Sequence, residues 1–336
     1  KGDEMNVTDG PYIRASSNKL FIDCIVESRH QQLSIPLRQT PTPVQNCGYP
    51  VNIEQTQFAE QKVLSYTTEH AVAAASDFHG QYDLMKQLLT NNGIIDAQGN
   101  WAFGKGHFVI TGDVFDRGDK VTEILWFLYH LEHQAEKAGG KVHLLLGNHE
   151  VMVLNGDIRY LHDKYKQTAK LLSTDFEQLF SAKTVLGQWL RSKPVLVKIN
   201  DALYAHGGFH PELAKKEYSL EEINRVFKHN LVKAELPSPR VGFGRFLHKG
   251  NGPIWYRGYF KDDGATSEEI DLLLNHFSVA HIIVGHTSQE KIETRHKGKV
   301  IAIDTSIKNG HYGEILLKYG GKLHRGTLDG KLLLLQ

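Results

Sequence analysis

Six side chains that can bind a metal ion lie at the ends of predicted strands or in predicted turns. Three are imidazoles, two are carboxylates and one is an amide: Asp77, His79, Asp113, Asn148, His206 and His286. Nitrogen and oxygen ligands without a thiolate suit Mn²⁺, Fe, Zn²⁺ or Co²⁺ better than Ca²⁺. The set is too large for one ion, but two ions about 3.5 to 4 Å apart, sharing a carboxylate and a hydroxide, would use all six and suit in-line displacement at phosphorus. We therefore expect an enzyme of phosphate chemistry.

Two of these residues, Asp113 and Asn148, lie in short motifs that follow two neighbouring strands of a predicted βαβ unit. The runs His107–Thr111 and Lys141–Leu146 favour strands, and Thr122–Lys137 between them favours a helix. The first strand leads into Gly112–Gly118 and the second into Gly147–Glu150. Because open α/β sheets bind ligands at the carboxyl ends of their strands, the polar residues of both motifs are expected to meet.

Three further predicted strands lead into the remaining ligands. The small-residue run Ala71–Ala75 predicts a central strand with helices packed on its faces, and it precedes the first ligand pair. Val195–Ile199 and Ala202–Ala205 predict a hairpin that ends one residue before a ligand histidine, and His281–Val284 predicts the strand before the last one. All six ligands are therefore expected at strand ends.

Helices are predicted from periodicity and from capping residues. Ser219 with Glu222, and Thr266 with Glu269, form capping boxes, which predict helices that reach about residues 236 and 277. The stretch from about residue 158 to 190 is helical in pattern, and we expect it to form a helical lobe over the site.

Each short motif is weak evidence alone. Strings such as Asp-x-His occur by chance in many chains, and this chain has 19 histidines, most of which are expected on the surface or in the core. The motifs occur together and each at a predicted strand end, which favours a site over coincidence.

Composition bounds the class of protein. We expect one large catalytic domain at residues 71–336, with residues 1–70 as an N-terminal extension packed on it. The net charge of +1 argues against nucleic acid as the main partner.

No stretch reaches the roughly 18 apolar residues of a membrane span. We expect a monomer, and the 31 glycines against 10 prolines favour a loose chain of the kind found in cold-active enzymes.

The only cysteines of the sequence are Cys24 and Cys47, and they leave two states open. A disulfide would fit an exported protein, whereas two thiols would fit a cytosolic one. We favour a periplasmic or secreted location. A cysteine-dependent phosphatase is rejected, because such a loop has five residues between Cys and Arg, whereas Arg29 follows Cys24 after four and no glycine lies between them.

The motifs together resemble the five signatures of the phosphoprotein phosphatase family of metallophosphoesterases. The resemblance spans about residues 71 to 306 and is carried by Asp77–Gly80, Gly112–Gly118, Gly147–Glu150, His206–Gly208 and Gly285–Thr287. Longer strings resemble its bacterial Shewanella-like branch: Gly112–Asp119, Asn148–Met152 and Trp255–Tyr259. Ser76 stands where the family usually has a glycine. This difference changes a backbone position but none of the metal ligands.

The resemblance implies an α/β calcineurin-like fold, in which two mixed sheets pack as a sandwich flanked by helices around a βαβαβ metal-binding core. It also implies two divalent ions per chain, chosen among Mn, Fe, Zn, Co or Mg. Asp77 and His79 would hold the first ion, and Asp113 would bridge both. The second ion would be held by three residues: Asn148, His206 and His286.

Four further residues receive catalytic or phosphate-binding roles. His149 has no place among the ligands, so it could protonate the leaving oxygen, with Asp116 orienting its imidazole. The competing interpretation of Asp116 is a carboxylate at a helix N-terminus. Arg117 and Arg257, together with Asn148, would bind the phosphate oxygens. Arg257 could instead stack in the core between two nearby aromatic residues, Tyr256 and Tyr259.

The expected activity is a phosphomonoesterase acting on phosphoproteins or small phosphate esters, by direct attack of the hydroxide that bridges the two metals. Phosphotyrosine is favoured only by the branch resemblance. A phosphodiesterase or dinucleoside-polyphosphate hydrolase on the same metal pair remains an alternative. A binding module that has lost catalysis fits less well, because the ligands, the acid and both arginines are all present.

Overall fold

Two mixed β-sheets of six strands each form the centre of the protein. The computed structural model describes residues 5–38 and 41–335. Parts of the two predicted domains therefore lie outside the described residues: 1–4 and 39–40 of the first, and 336 of the second. The seventeen strands of the described residues are β1 (Asp9–Ala15), β2 (Lys19–Val26), β3 (Arg29–Pro36), β4 (Thr42–Val44), β5 (Val51–Ile53), β6 (Ser65–Tyr66), β7 (Val72–Ala75), β8 (His107–Ile110), β9 (Lys141–Leu144), β10 (Leu196–Ile199), β11 (Ala202–Ala205), β12 (His281–Val284), β13 (Glu293–Arg295), β14 (Val300–Ala302), β15 (Ile315–Tyr319), β16 (Lys322–Gly326) and β17 (Leu332–Leu334).

Helices connect and cover these strands. The nine α-helices of the described residues are α1 (Tyr82–Asn91), α2 (Val121–Lys137), α3 (Asn148–Leu154), α4 (Asp163–Leu171), α5 (Val185–Arg191), α6 (Glu212–Lys215), α7 (Leu220–His229), α8 (Gly242–Leu247) and α9 (Ser267–Phe277). Short 3₁₀ turns are found at Phe176–Phe180, Lys233–Glu235, Gly258–Phe260 and Ile307–Asn309. None of the helices in the described ranges combines the length and the apolar character that crossing a bilayer requires.

Each sheet is built around parallel strands with antiparallel strands beside them. The first sheet has the order β17-β16-β15-β7-β8-β9, in which β7, β8 and β9 run parallel. The second has the order β13-β14-β12-β11-β10-β6, in which β11, β12 and β14 run parallel. The predicted βαβ unit is confirmed as β8-α2-β9. The predicted fold class, a sandwich of two mixed sheets with helices outside, is confirmed as well.

The sequence prediction for the small-residue strand β7 was wrong on one face. Ala73 and Ala75 face the helix-covered core, as expected. Val72 and Ala74, however, pack in a separate cluster of buried residues with Ile283 of the second sheet. Small side chains on this strand therefore allow a close approach of a sheet on one side and of helices on the other. A continuous apolar run indicates a strand that is buried on both faces, but it does not say which element covers each face.

The predicted helical stretch from residue 158 to 190 is interrupted. It contains α4, a 3₁₀ turn and α5, because Ser173 after α4 has a left-handed φ of +53° and Thr184 starts α5 by accepting a hydrogen bond from Gly187. The predicted helix from Ser219 begins as expected but already ends at His229. The helix that begins after Thr266 ends at Phe277, as predicted, and its capping box is present.

The N-terminal segment forms its own antiparallel sheet of β1, β2 and β3 and packs on α2. The indole of Trp126 donates to the carbonyl of Pro11 over 2.9 Å, and the hydroxyls of Tyr12 and Thr122 lie 3.0 Å apart. A disulfide joins Cys24 and Cys47. The short strand β6 pairs with β10 of the second sheet, so part of this segment extends a central sheet. The domain boundary at residue 70 stays a prediction.

Candidate metal centre

The six predicted ligands all lie just beyond the carboxyl ends of strands, in both sheets. Asp77 and His79 follow β7, Asp113 follows β8, and the other three follow β9, β11 and β12: Asn148, His206 and His286. All six are buried. Because the parallel strands of the two sheets end on the same side, residues far apart in the chain meet at one place.

The backbone is unusual at four of these residues. Asp77, His79, Asp113 and His286 have left-handed φ angles between +43° and +67°. This conformation costs a non-glycine residue about 1 to 3 kcal/mol and is found where function requires a particular side-chain direction. Here it turns each side chain back towards the space between the strand ends. Asp116 and Arg117 share it, with φ angles of +74° and +70°.

Asp113 lies between two groups of ligand atoms. The first group contains Asp77 and His79. The Nδ1 of His79 lies 2.7 Å from the carbonyl oxygen of Phe115 and donates to it, which leaves the lone pair of Nε2 free. This Nε2 lies 3.4 Å from Oδ2 of Asp77 and 3.5 Å from Oδ2 of Asp113. The three side chains thus converge on one point.

The second group contains His206 and His286. The Nδ1 of His206 donates to the carbonyl oxygen of Thr111 over 2.8 Å. Its Nε2 lies 3.0 Å from Oδ2 of Asp113, yet the two atoms do not have hydrogen-bond geometry. The ring of His286 lies 5.0 Å from that of His206. The same carboxylate oxygen of Asp113 thus faces both groups, as a bridging ligand would.

The donor atoms fit a metal. Ligand atoms of Asp113, His206 and His286 lie within 4.8 Å of one another. The amide oxygen of Asn148 is buried and has no hydrogen-bond partner among the residues that the structure describes, which is costly unless a cation satisfies it. A second group within the same distance contains His79, Asp113 and His149. Asp77 stays the predicted ligand of this group instead of His149, because the imidazole of His149 already lies 2.5 Å from the carboxylate of Asp116.

The electrostatics of the centre favour cations. Burial, followed by the charges of His206 and Arg257, lowers the pKa of His286 to about 3, so its nitrogen is free to bind a metal at neutral pH. Burial opposes the charged form of His206 as well, but Asp113 and Asp77 outweigh it and raise the pKa of His206 to about 10. A similar balance raises the pKa of His79 to about 9. Metal binding would therefore release protons.

His149 and Asp116 form a pair beside the six ligands. Nδ1 of His149 lies 2.5 Å from Oδ2 of Asp116, and both side chains are buried. Nε2 of His149 lies 3.9 Å from Oδ2 of Asp113, near the ligand cluster but beyond hydrogen-bond distance. The pairing leaves Nε2 as the atom available to a substrate, which is the arrangement a general acid needs.

Two arginines lie at this end of the sheets. Arg117 is exposed, and its guanidinium lies 5.2 Å from the ring centre of Tyr160. Arg257 is half-buried and donates to the carbonyl oxygen of His286 over 3.5 Å. In the part of the chain that the structure describes, Arg257 makes no cation–π contact, so stacking in the core does not explain it.

Glu150 has a structural part in the centre that sequence reasoning missed. Its two buried carboxylate oxygens accept hydrogen bonds from four backbone N–H groups: Asp113 at 2.6 Å, Gly147 at 2.8 Å, Val114 at 2.9 Å and Phe115 at 3.2 Å. The carboxylate thereby joins the start of α3 to the loop after β8. The position of Glu150 directly after His149 indicated that it lies near the centre, but the sequence motif does not show in which direction its side chain points.

Two more supporting residues follow strands. The hydroxyl of Ser76 donates to Oδ1 of Asp77 over 2.5 Å and accepts from Thr111 over 2.6 Å, so this departure from the family glycine adds a hydrogen bond to a predicted ligand. Asp304, after β14, accepts from Ser288 over 3.0 Å, and burial, followed by the charge of Asp77, raises its pKa to about 7. The apolar run Val300–Ile303 directly before Asp304 was the signal that could have identified it.

The fold and the cluster of possible metal ligands are those of a metal-dependent phosphoesterase, and comparison with known proteins agrees. The family model for calcineurin-like phosphoesterases matches residues 70–290, and the chain belongs to this family. It is therefore a metallophosphoesterase, an enzyme that hydrolyses phosphate esters.

Individual relatives narrow the resemblance. The chain is 44% identical to a cold-active protein-tyrosine phosphatase of a psychrophilic Shewanella species, over 98% of this chain and 99% of that one, with a TM-score of 0.90. It is 26% identical to Shewanella-like protein phosphatase 2 of Arabidopsis thaliana, over 86% of this chain and 81% of the relative. A symmetrical bis(5′-nucleosyl)-tetraphosphatase of Pasteurella multocida is also 26% identical, but over only 47% of this chain and 52% of its own length. The predicted branch of the family is confirmed.

Proposed function

We propose that this protein is a protein phosphatase that hydrolyses phosphomonoesters, with phosphotyrosine as its preferred residue. One observation carries the proposal: an imidazole held by a carboxylate, His149 with Asp116, lies beside a cluster of metal-ligand atoms and near two arginines. Similarity to the Shewanella protein-tyrosine phosphatase over 98% of the chain supports the choice of phosphotyrosine.

Two divalent ions, chosen among Mn, Fe, Zn, Co and Mg, would be held by the six ligands. Asp77 and His79 would bind one ion, Asp113 would bridge, and three residues would bind the other: Asn148, His206 and His286. Such ions supply a water molecule that is deprotonated near neutral pH, and they neutralise charge on the phosphate. The chain contributes the fixed positions of the ligands, through the hydrogen bonds of His79 and His206 to backbone carbonyls.

Arg117 and Arg257 would bind the phosphate oxygens. A phosphomonoester dianion carries its charge on oxygens that a planar guanidinium can contact with two N–H groups at once. Arg257 is anchored next to His286, so its fork is presented close to a ligand of the second ion. The amide of Asn148 could add a further contact to the phosphate. Two guanidinium groups favour a terminal phosphate with two negative charges over a phosphodiester with one.

His149 would protonate the leaving oxygen. Its Nδ1 is bound by Asp116, which fixes the orientation of the ring and directs Nε2 towards the substrate. A positioned acid contributes about 10² to 10⁴-fold to such a step, most where the leaving group is a poor one. No cysteine is available for a covalent route, because both cysteines of the chain are in the disulfide.

Phosphate esters of different type test this proposal. With purified protein loaded with Mn²⁺, p-nitrophenyl phosphate should be hydrolysed at least tenfold faster than its bis ester. A phosphotyrosine peptide should be preferred over a phosphoserine peptide of the same flanking sequence. Faster hydrolysis of the bis ester, or of diadenosine tetraphosphate, would replace the proposal with the phosphodiesterase or dinucleoside-polyphosphate alternative. Equal rates on the two peptides would remove the preference for phosphotyrosine.

We further propose that the protein acts in the periplasm or outside the cell. The support is the Cys24–Cys47 disulfide, which joins β2 to the segment before β5, since such bonds persist in oxidising compartments. Fractionation of the native host, with alkylation of free thiols before lysis, tests this. Protein found in the cytoplasm with both thiols alkylated would contradict the proposal.

A further inference from the structure

We propose that Tyr160 binds the leaving group of the substrate and thereby selects aromatic phosphate esters. The inference rests on the proposed function, because it assumes that His149 protonates the leaving oxygen. It adds a residue that determines which esters are hydrolysed well.

The position of Tyr160 follows from its contact with His149. The two ring centres lie 5.4 Å apart, with the ring planes inclined by 61°. The leaving oxygen must lie within hydrogen-bond distance of Nε2 of His149 when it takes the proton, about 2.6 to 3.2 Å away. Because the ring of Tyr160 contacts this imidazole, a group attached to that oxygen can come into contact with the ring.

The ring is available to a substrate. Tyr160 is 44% exposed, whereas most large aromatic side chains near the centre are buried. An exposed aromatic ring is stabilised by contact with a flat apolar group, and the ring centres of aromatic pairs are preferably about 4.5 to 7 Å apart. A phenolic leaving group offers such a partner, while the short chain of a serine or another alkyl ester does not.

Contacts with charged residues hold the ring in place. The carbonyl oxygen of Tyr160 accepts a hydrogen bond from the backbone N–H of Arg117 over 3.0 Å. The guanidinium groups of Arg117 and Arg159 lie 5.2 and 5.6 Å from the ring centre. Arg159 is itself bound to Asp157, with hydrogen bonds of 2.9 Å. The ring is therefore tied to a residue that would bind the phosphate, so the phosphate and leaving-group sites are coupled in position.

Trp255 is the other aromatic candidate, but its place is different. Its ring lies 6.0 Å from that of His286, a predicted ligand of the second ion, and it is half-buried. Trp255 also lines a cavity of about 500 Å³ beside Arg257, which could receive other parts of a peptide. Of these two aromatic residues, Tyr160 is the one whose ring contacts the imidazole that would protonate the leaving oxygen, so it is the residue expected to meet the phenyl ring.

The test compares substrates within each variant. Tyr160→Leu removes the aromatic face but keeps apolar bulk, and Tyr160→Phe keeps the ring. Phenyl phosphate and ethyl phosphate are assayed, together with inhibition by phenylphosphonate and methylphosphonate, which bind without being cleaved. Tyr319→Leu is the control, because Tyr319 is exposed to a similar degree, 37%, and lies at the end of β15.

We expect Tyr160→Leu to lower kcat/KM for phenyl phosphate about threefold to tenfold, mainly by raising KM. The inhibition constant of phenylphosphonate should rise by the same factor. Ethyl phosphate and methylphosphonate should change less than twofold, and Tyr160→Phe and the control should match the wild type. An equal loss on both esters would show that Tyr160 only supports Arg117, and no loss would show that it does not bind the leaving group. Either result overturns this inference. If the wild type fails to hydrolyse phenyl phosphate at all, the proposed function itself fails.

Discussion

The imidazole of His149 and the carboxylate of Asp116 lie 2.5 Å apart, and both are buried at the carboxyl end of the first sheet. Asp116 reaches this place through a left-handed backbone conformation in the loop after β8. The competing interpretation of Asp116, a carboxylate stabilising a helix N-terminus, does not account for this contact, because α2 begins five residues later at Val121. The pair instead fits a proton donor and the residue that orients it.

Removal of His149 should therefore affect esters according to their leaving groups. His149→Asn is expected to lower kcat about 10² to 10⁴-fold for an alkyl phosphate, which needs a proton on its leaving oxygen. The loss for p-nitrophenyl phosphate should be less than tenfold, since p-nitrophenolate leaves without help. The measurement is steady-state kinetics on both substrates, with the exposed His229→Asn as the control. Equal losses on the two substrates would exclude His149 as the acid.

The two arginines should affect phosphate binding without affecting metal binding. Arg117→Lys and Arg257→Lys keep the charge but lose the planar fork, and each is expected to lower kcat/KM about 10- to 100-fold. Metal content per chain should stay unchanged, because neither residue is a predicted ligand. Elemental analysis alongside the kinetics checks both points, and Arg225→Lys on the exposed face of α7 is the matched control. A variant that loses metal would place that arginine among the residues that build the centre.

Ser76 should strengthen metal binding through Asp77. Ser76→Ala removes the hydroxyl that donates to Oδ1 of Asp77, and loss of such a supporting hydrogen bond costs about 10- to 100-fold in metal affinity. Titration of the metal-free protein with Mn²⁺ measures this affinity. Ser192→Ala, which removes a buried hydroxyl bound to the carbonyl of Trp189, serves as the control. An unchanged affinity would mean that Asp77 is held sufficiently by the N–H of His286.

His248 should make the fold sensitive to acid at a place remote from the ligands. Burial lowers the pKa of His248 from 6.5 to about 4, so the folded protein binds this proton less readily than the unfolded chain. Stability from this residue is complete above about pH 6.5 and is lost as the pH falls towards 4, by an amount on the order of 3 kcal/mol. Denaturant unfolding across this range measures the effect.

The matched variant for this prediction is His248→Gln. Glutamine can still donate to the carbonyl of Phe227, as Nε2 of His248 does, but it cannot take up a proton. It also loses the stacking of the imidazole on the ring of Phe227, a penalty that does not depend on pH. The difference in unfolding free energy between wild type and variant should therefore shrink as the pH falls from 6.5 to 4. A constant difference would contradict the assignment.

The ligand positions could be predicted because they depend on local pattern. Each ligand follows a short β-branched, leucine or alanine run, and parallel strands collect the residues after them at one edge. The element that covers each face of a sheet could not be predicted in this way. Helices cover one face of β7, but the second sheet covers the other. Helix ends in the stretch from residue 158 to 190 were missed for a related reason, because left-handed residues such as Ser173 carry no strong sequence signal.

The supporting residues were harder to predict than the ligands. Glu150 binds the backbone of a loop 35 to 37 residues earlier, and Tyr160 reaches His149 only because the chain turns back after α3. Such contacts depend on tertiary packing rather than on spacing in the sequence. The roles of the ligands, of His149 and Asp116, and of the two arginines stay predictions that chemistry must test.

The account depends most on two cations held by six side chains. A crystal of the protein grown with Mn²⁺, with anomalous diffraction recorded, tests this most directly. We predict two anomalous peaks about 3.5 to 4 Å apart, with the carboxylate of Asp113 in contact with both and with His206 and His286 at one of them. A single peak, or two peaks of which Asp113 touches only one, would contradict the dinuclear centre and the hydrolysis mechanism proposed from it.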